Sequence, residues 1–217
     1  SNLLLWFLIT TVPATVFSQS DVTIKEVTFV SEGVTLAGSI VTPKSPIAAV
    51  VVVHGSDPVK RELEFAKRLA NEGIAVLTYD KRGVGASGGV YVGPTVGTNN
   101  IDTTNLNLLS LDTSAAVNTF RMHLKDKKIA IGLVGFSQAG WIIPITANKN
   151  PLVDFMVLFS CPTITTIEQL CFQFYTNGDD NFRENHTEAD AREHVKNDPD
   201  RYQFAATDPK ESLQSLS

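Results

Sequence analysis

The sequence predicts an α/β fold in which a mostly parallel sheet is flanked by helices. Four short runs are largely apolar and predict buried strands, as parallel strands covered on both faces are: residues 48–53, 74–79, 129–134 and 155–159. Segments with helical spacing separate these runs, and such strand-helix-strand units have a right-handed crossover. Two alternating, β-branched-rich runs precede them and predict an N-terminal β-hairpin.

The remaining elements of the core follow from the same periodicities. The hairpin is predicted over residues 24–30 and 34–41, ahead of the main sheet. The turn between the two runs contains Gly33, which can take positive φ. Residues 62–70 carry apolar side chains at helical spacing and predict the first helix, and residues 106–124 predict the second.

The composition changes beyond the fourth apolar run. Residues 164–175 are amphipathic, residues 177–210 are highly charged, and no apolar run of strand length follows Phe159. This is the composition of helices that lie over a core. At 217 residues the chain is long enough for one sizeable domain. We therefore expect an α/β core over residues 19–162 and a helical cap over residues 163–217.

Residues 1–18 have the character of an incomplete secretory signal peptide. Residues 3–9 are apolar, and the short length of the segment and its Pro13 disfavour a membrane span. The basic region and the initiator methionine are missing, so we expect the natural reading frame to begin earlier. The mature protein is expected to begin near Gln19, to be periplasmic or secreted, and to have no stable membrane span. The alternative is a buried N-terminal helix, which the lack of an alternating polar face disfavours.

Charge and cysteine content argue against several classes of site. The formal net charge is -5 and no basic run occurs, so the chain has no footprint for nucleic-acid phosphates. Cys161 and Cys171 have neither metal-ligand spacing nor the pattern of a disulfide framework. They could pair in an oxidising compartment, although two free, buried thiols are the preferred expectation. We expect no metal and no cofactor, and the oligomeric state is open.

One stretch has the form of a catalytic turn: Gly135-Phe136-Ser137-Gln138-Ala139-Gly140 reads as G-x-S-x-G with Ala139 in the place of the last glycine. An apolar strand leads into it, and a helix-compatible segment, residues 141–147, leaves it. This is the context of a nucleophile elbow, which holds a serine hydroxyl above a parallel sheet. The serine backbone in such a turn is strained, so its neighbours must be small. Ser137 is therefore the candidate nucleophile, and the alternative is a simple tight turn.

A second glycine pattern is a weaker signal. Gly83, Gly85 and Gly88 match G-x-G-x-x-G after a strand, the fingerprint of dinucleotide binding. That motif needs a helix to begin at the third glycine, so that helix amides hold the pyrophosphate. Here the glycines continue into residues 90–94, which have the composition of a loop. We expect a glycine-rich surface turn, or a loop that frames a pocket near the elbow.

His54-Gly55-Ser56 follows the first buried strand and therefore shares the carboxyl edge of the sheet with the elbow. Amides of this loop, together with the amide of Gln138, could bind the oxyanion of a tetrahedral intermediate. His54 is expected to order the turn. A role as general base is disfavoured, because in this arrangement the base follows the serine in sequence.

Five segments together carry a resemblance to a known family. They are the hairpin with Val27-Thr28-Phe29 and Gly33-Val34-Thr35-Leu36-Ala37-Gly38, then Val52-Val53-His54-Gly55-Ser56, Tyr79-Asp80-Lys81-Arg82-Gly83-Val84-Gly85-Ala86-Ser87, Gly135-Phe136-Ser137-Gln138-Ala139-Gly140, and Ser160-Cys161-Pro162-Thr163. In this order they resemble the α/β-hydrolase superfamily, closest to bacterial serine hydrolases related to carboxylesterases, acyl-CoA thioesterases and serine aminopeptidases. The resemblance implies a Ser-His-Asp esterase-type hydrolase, with Ser137 as nucleophile and the amides of Gln138 and Ser56 as the oxyanion hole.

The sequence departs from this family after the elbow. The family places its acid after a later strand and its histidine after the last one. Downstream of Ser137 the only histidines are His186 and His194, which we expect to be surface residues of the predicted cap. Four acidic residues there read as solvated charges or turn residues: Asp179, Asp180, Asp198 and Asp200. We therefore expect the chain to lack the last two strands of the fold and the catalytic histidine and acid, and to be inactive alone.

The sequence thus predicts a serine hydrolase that cleaves carboxylic esters, with a small ester or acyl compound as substrate, through an acyl-enzyme on Ser137. Two alternatives stay open. A peptidase or amidase would use the same catalytic groups, and a non-catalytic binding protein could use the same fold.

Overall fold

A computed structural model of the chain describes residues 22–93, 103–126, 128–199 and 207–216. The predicted signal peptide at residues 1–18 lies outside the described residues. Within these described ranges, six strands form one sheet in the order β1-β2-β4-β3-β5-β6. They are β1 (Val22–Ser31), β2 (Val34–Pro43), β3 (Ala48–Val53), β4 (Ile74–Tyr79), β5 (Ile131–Phe136) and β6 (Phe155–Phe159).

The sheet confirms the predicted α/β class. β3 pairs in parallel with β4 and β5, and β5 pairs in parallel with β6. The hairpin turn uses positive φ at Glu32 (47°) and Gly33 (71°), which suits the twist of a tight hairpin. The hairpin, predicted ahead of the main sheet, is part of it, because β2 pairs antiparallel with β4. Gly38 allows the backbones of β2 and β4 to lie this close, since a Cβ at Gly38 would lie 2.8 Å from the carbonyl oxygen of Thr78.

Helices cover both faces of the sheet, so the fold has three layers. α1 (Leu63–Asn71) packs against one face through residues that include Ala66. α2 (Thr103–His123) and α3 (Ala139–Lys149) pack against the other face, where Phe120 joins the larger hydrophobic cluster. In the described residues after β6, four more helices follow: α4 (Thr166–Thr176), α5 (Phe182–Asn185), α6 (Glu188–Asn197) and α7 (Pro209–Gln214).

The chain after β6 is helical or irregular wherever the structure describes it, as its composition predicts. α4 and α6 each begin with a capping box, formed by Thr165 with Glu168 and by Thr187 with Asp190. In each box the two residues exchange side-chain and backbone hydrogen bonds, which satisfies amides at the helix start. The division into a core and a cap at residue 163 stays a prediction.

The helices and the two cysteines can be compared with the expectations of no membrane span and of two unpaired thiols. Within the described ranges, no helix is both long enough and apolar enough to cross a membrane. Cys171 is buried and Cys161 is half-buried, and no disulfide joins them in the described residues. Burial raises the pKa of Cys161, which keeps this thiol protonated at neutral pH.

Candidate active site

The three predicted site residues meet at one edge of the sheet. β3, β4, β5 and β6 run parallel, so their carboxyl ends lie along the same edge. Ser137 and Gln138 follow β5 directly, and Ser56 lies in the loop that follows β3. This edge is where ligands bind in open α/β sheets.

The strand before the elbow ends later than predicted. β5 begins at Ile131, not at residue 129, and runs to Phe136. The residues assigned to the start of the turn are still paired, because Gly135 lies opposite Val53 of β3 and Phe136 lies opposite Phe159 of β6. The strand therefore delivers the chain directly to Ser137.

Ser137 has a strained, left-handed backbone. Its φ is 53°, in the left-handed region that residues other than glycine rarely adopt. The residue is exposed, and α3 begins two positions later, at Ala139. Such a backbone costs roughly 1 to 3 kcal/mol and is concentrated at functional sites. The turn therefore presents the Ser137 hydroxyl at the sheet edge between a strand end and a helix start.

Close packing explains the small residues of the motif. A Cβ on Gly135 would lie 2.4 Å from the Cβ of Ala139 and 2.9 Å from the carbonyl oxygen of Val53. A Cβ on Gly140 would lie 2.7 Å from the Cβ of Cys161. The methyl group of Ala139 thus occupies the space that Gly135 leaves, which is why alanine is accommodated at the last glycine position of the motif.

The loop after β3 approaches the elbow. A Cβ on Gly55 would lie 3.7 Å from the Cβ of Ser137, so the loop that carries Ser56 adjoins the serine. No acceptor in the described part of the chain takes the amide hydrogen of Ser56. Gln138 is 2% exposed and forms the N-terminal boundary of α3, where the helix dipole favours negative charge. Both predicted oxyanion-hole residues are therefore neighbours of Ser137.

Lys81 is a residue of this site that the sequence analysis did not assign. It follows β4 by two positions and is 3% exposed. Its Nζ donates to the carbonyl oxygens of Gly55 (2.7 Å) and Ser56 (3.0 Å) and to Oε1 of Gln138 (3.2 Å). A lysine two positions after a buried strand, at the ligand-binding edge, is the signal that could have identified it. One ammonium group thus joins the loop after β3 to the elbow.

The start of the loop after β4 is held by a buried carboxylate. Asp80 accepts hydrogen bonds from Nε (3.1 Å) and Nη2 (3.1 Å) of Arg61 and from the amide of Ala86 (2.8 Å). Burial alone would raise the pKa of Asp80, but these hydrogen bonds lower the pKa to about 2. Ser87 completes the turn, because its hydroxyl donates to the carbonyl oxygen of Asp80 (2.6 Å).

The glycines of the G-x-G-x-x-G match shape this loop. Gly83 and Gly85 have φ of 73° and 58°, and a Cβ on Gly85 would lie 2.5 Å from Oδ2 of Asp80. No helix begins at Gly88 in the described residues up to 93. The glycines therefore form a turn that closes over Asp80, beside the site.

His54 occupies the structural position that the sequence analysis favoured. It is buried, and its Nε2 donates to the carbonyl oxygen of Tyr79 (2.5 Å), so the loop after β3 is tied to the end of β4. Its Nδ1 has no hydrogen-bond partner among the described residues. Burial, together with the charge of Lys81, lowers the pKa of His54 to about 4. The ring is therefore neutral at pH 7 and tied to the backbone.

This burial predicts an acid-sensitive fold. The unfolded chain takes up a proton on His54 near pH 6.5, and the folded chain does so only near pH 4. The contribution of neutral His54 to the free energy of unfolding is therefore fully present above pH 6.5 and is lost as the pH falls to 4. The free energy of unfolding should lose up to about 1.4 kcal/mol per pH unit in this window. His54→Gln should flatten that slope in urea unfolding measured from pH 7 to pH 4. His123→Gln, at the exposed end of α2, should keep it, and an equal slope in both variants would contradict the assignment.

The other histidines have different surroundings. His123 Nδ1 contacts the carbonyl oxygen of Thr119 (2.8 Å) in α2. His194 stacks on Tyr175 with ring centroids 3.6 Å apart. His186 stacks on the ring of the buried Phe182, with centroids 4.3 Å apart. None of the hydrogen bonds in the described residues joins a histidine to Ser137.

The structure describes three of the four acidic residues that were predicted to be solvated charges or turn residues. Asp179 is exposed and accepts from the amide of Asn181 (2.9 Å) in a turn, Asp180 is exposed, and Asp198 ends α6. Asp200 lies outside the described residues. In the described ranges, no group of three or more His, Cys, Asp or Glu side chains has the arrangement of a metal site.

Comparison with known proteins gives the same fold. A family model described as serine aminopeptidase, S33, matches residues 44–209. An esterase of Pyrococcus furiosus superposes with a TM-score of 0.59 at 19% identity, over 90% of this chain and 66% of that chain. Acetyl xylan esterase 1 from Thermoanaerobacterium sp. JW/SL YS485 superposes with a TM-score of 0.54 at 17% identity, over 91% of this chain and 70% of that chain.

The α/β hydrolase GrgF from Penicillium sp. sh18 superposes with a TM-score of 0.52 at 17% identity, over 90% of this chain and 73% of that chain. The chain spans 63% to 66% of the length of the Pyrococcus furiosus esterase structures. No curated protein sequence matches this chain. The structural likenesses establish the fold, and because the family model covers well over half of the chain, the protein belongs to the serine aminopeptidase S33 family of α/β hydrolases.

Proposed function

We propose that this protein is a serine hydrolase that cleaves carboxylic esters through an acyl-enzyme on Ser137. The observation that carries the proposal is the exposed serine with φ of 53° between a parallel strand and the start of a helix. A strained serine at the ligand-binding edge of such a sheet is the geometry of a nucleophile elbow. The hydrolase family and the esterases of the same fold support a small-molecule substrate.

In the proposed reaction, Oγ of Ser137 attacks the ester carbonyl carbon and forms the new C–O bond of a tetrahedral intermediate. The amides of Ser56 and Gln138 donate hydrogen bonds to its negatively charged oxygen. Collapse of the intermediate breaks the bond to the leaving alcohol, which takes a proton from the base. Water then hydrolyses the acyl-enzyme and returns free serine and a carboxylic acid.

The base that takes the Ser137 proton is not assigned. His54 is held by the carbonyl oxygen of Tyr79, and His186 and His194 stack on aromatic rings.

A second candidate function is cleavage of amides or peptides. The description of the matching family, serine aminopeptidase, favours it. The same nucleophile and amide donors would serve both reactions, because both pass through a tetrahedral oxyanion. Rates on a p-nitrophenyl ester and on an aminoacyl p-nitroanilide, measured side by side, would separate the two candidates.

Covalent labelling tests whether Ser137 is a nucleophile at all. The full-length protein is treated with a fluorophosphonate, which forms a stable bond to activated serine hydroxyls, and the modified peptide is identified by mass spectrometry. We expect the label on Ser137, and no label in Ser137→Ala. A folded protein that takes up no label, or takes it up elsewhere, would contradict the proposal and favour a non-catalytic binding protein of the same fold.

A further inference from the structure

The ammonium group of Lys81 is saturated by oxygen atoms of the candidate site. A lysine has three N–H donors, and all three find acceptors here: the carbonyl oxygens of Gly55 and Ser56 and the side-chain oxygen of Gln138. In the described part of the chain, no carboxylate forms an ion pair with it. A buried cation without a paired carboxylate is costly for folding. Its contacts therefore point to a role in the site.

The contact with Gly55 fixes the direction of a proposed oxyanion donor. The carbonyl oxygen of Gly55 and the N–H of Ser56 belong to the same peptide unit, and the described chain contains no cis peptide bonds. In a planar trans peptide these two groups point in opposite directions. Because Lys81 binds the carbonyl side, the N–H of Ser56 points away from Lys81 and is left without a described acceptor. A positive charge on the carbonyl side also polarises the peptide and makes its N–H a stronger donor.

Tyr91 and Gln138 also contribute to holding the loop that carries Ser56. The hydroxyl of Tyr91 donates to the carbonyl oxygen of Ser56 (2.8 Å), so the peptide after Ser56 is held from two sides. Lys81 Nζ also lies 5.4 Å from the centroid of the Tyr91 ring. The contact of Lys81 with Gln138 links this loop to the start of α3. The two predicted amide donors are thus joined through one side chain.

We propose that Lys81 is a positioning residue for the oxyanion hole: by binding Gly55, Ser56 and Gln138 together, it holds the Ser56 amide in the orientation that the transition state requires. Lys81 acts through these groups and does not touch the substrate. The inference rests on the proposed function, because an oxyanion forms only if Ser137 attacks a carbonyl. Burial, opposed in part by Asp57, lowers the pKa of Lys81 to about 8, so the side chain is mostly charged at pH 7.

The test compares Lys81→Met with wild type in the full-length protein, using a p-nitrophenyl ester at pH 7. Loss of a single oxyanion donor lowers kcat by about 100- to 1000-fold, so loss of its orientation should lower kcat by roughly 10- to 100-fold. KM should change less than about twofold, because the ground-state carbonyl relies little on these donors. Binding of a trifluoromethyl ketone, whose adduct mimics the oxyanion, should weaken in step with kcat. Propylamine added to Lys81→Ala should restore part of kcat.

The controls separate this proposal from the proposed function. Lys149→Met removes an exposed lysine whose ammonium group donates to Oδ1 of Asn107, and it should leave kcat unchanged. If the wild type shows no Ser137-dependent turnover, both proposals fail together. If it does, and Lys81→Met keeps kcat or changes KM alone, the Lys81 proposal fails by itself. If Lys81→Met does not fold, Tyr91→Phe is measured in its place, because Tyr91 holds the same carbonyl oxygen of Ser56. A loss of kcat of about threefold or more at constant KM supports the proposal that these contacts position the Ser56 amide, and an unchanged kcat overturns it.

Discussion

Replacing Ser137 with alanine is expected to lower kcat for a p-nitrophenyl ester by about 10⁴-fold or more in the full-length protein. The substitution removes the only oxygen that could form the acyl-enzyme at the elbow. It keeps the Cβ, so the strained φ of 53° and the packing of the turn are retained. Kinetics and thermal unfolding are measured on the same preparation, and the melting temperature should stay within a few degrees of wild type.

Ser160 provides a matched control within the same sheet. It follows β6 as Ser137 follows β5, it is exposed, and its φ is 48°. No helix begins directly behind Ser160, since α4 starts at Thr166, so it lacks the helix start of an elbow. Ser160→Ala should keep activity within about twofold of wild type. Equal losses in the two variants would show that strained serines at this edge affect the fold and not the chemistry.

The fold and the tight strand-turn-helix geometry around Ser137 could be predicted from the sequence, because both arise from local patterns. The apolar runs specify strands, and β3, β4 and β5 are buried as expected. The fourth run was wrongly predicted to be buried, because β6 lies at the edge of the sheet and Val157 and Phe159 are exposed. The small residues around Ser137 specify a tight turn between a strand and a helix. Gly135 and Ala139 show why the small residues were informative: a Cβ on Gly135 would lie 2.4 Å from the Cβ of Ala139, so only one of the two positions can carry a side chain. The bounds of β5 were less accurate, because pairing with β3 and β6 extends the strand beyond its apolar run.

The polar framework of the site could not be predicted, because its contacts join residues that are distant in sequence. Lys81 reaches Gly55 across 26 positions and Gln138 across 57. Its neighbour Arg82 reaches across 30 positions to Asp112. Asp112 lay within the predicted second helix, on the same face as the inward Leu109 and Ala116, where a carboxylate needs a partner. That conflict between helix periodicity and charge was the one available signal for a buried ion pair.

Replacing Asp112 with alanine is expected to destabilise the protein by about 3 to 5 kcal/mol, because it leaves the charge of Arg82 buried and uncompensated. The side chains of Asp112 and Arg82 are 1% and 7% exposed. The carboxylate accepts from Nε of Arg82 (2.9 Å) and also from its Nη2. Without it, Arg82 keeps the carbonyl oxygen of Ser31 (3.1 Å) as an acceptor. Thermal unfolding should show a melting temperature lower by about 6 to 20 °C for a protein of this size.

A double replacement distinguishes the lost charge partner from lost packing. Arg82→Met combined with Asp112→Leu removes both charges and keeps apolar volume, so it should recover most of the stability that Asp112→Ala loses. Arg192→Ala breaks the exposed ion pair with Glu188, where the two side chains are 73% and 79% exposed, and should cost less than about 1 kcal/mol. If the double variant is as unstable as Asp112→Ala, the cost lies in the packing of α2 against the loop after β4. If Asp112→Ala costs no more than Arg192→Ala, the buried pair does not hold that loop in place.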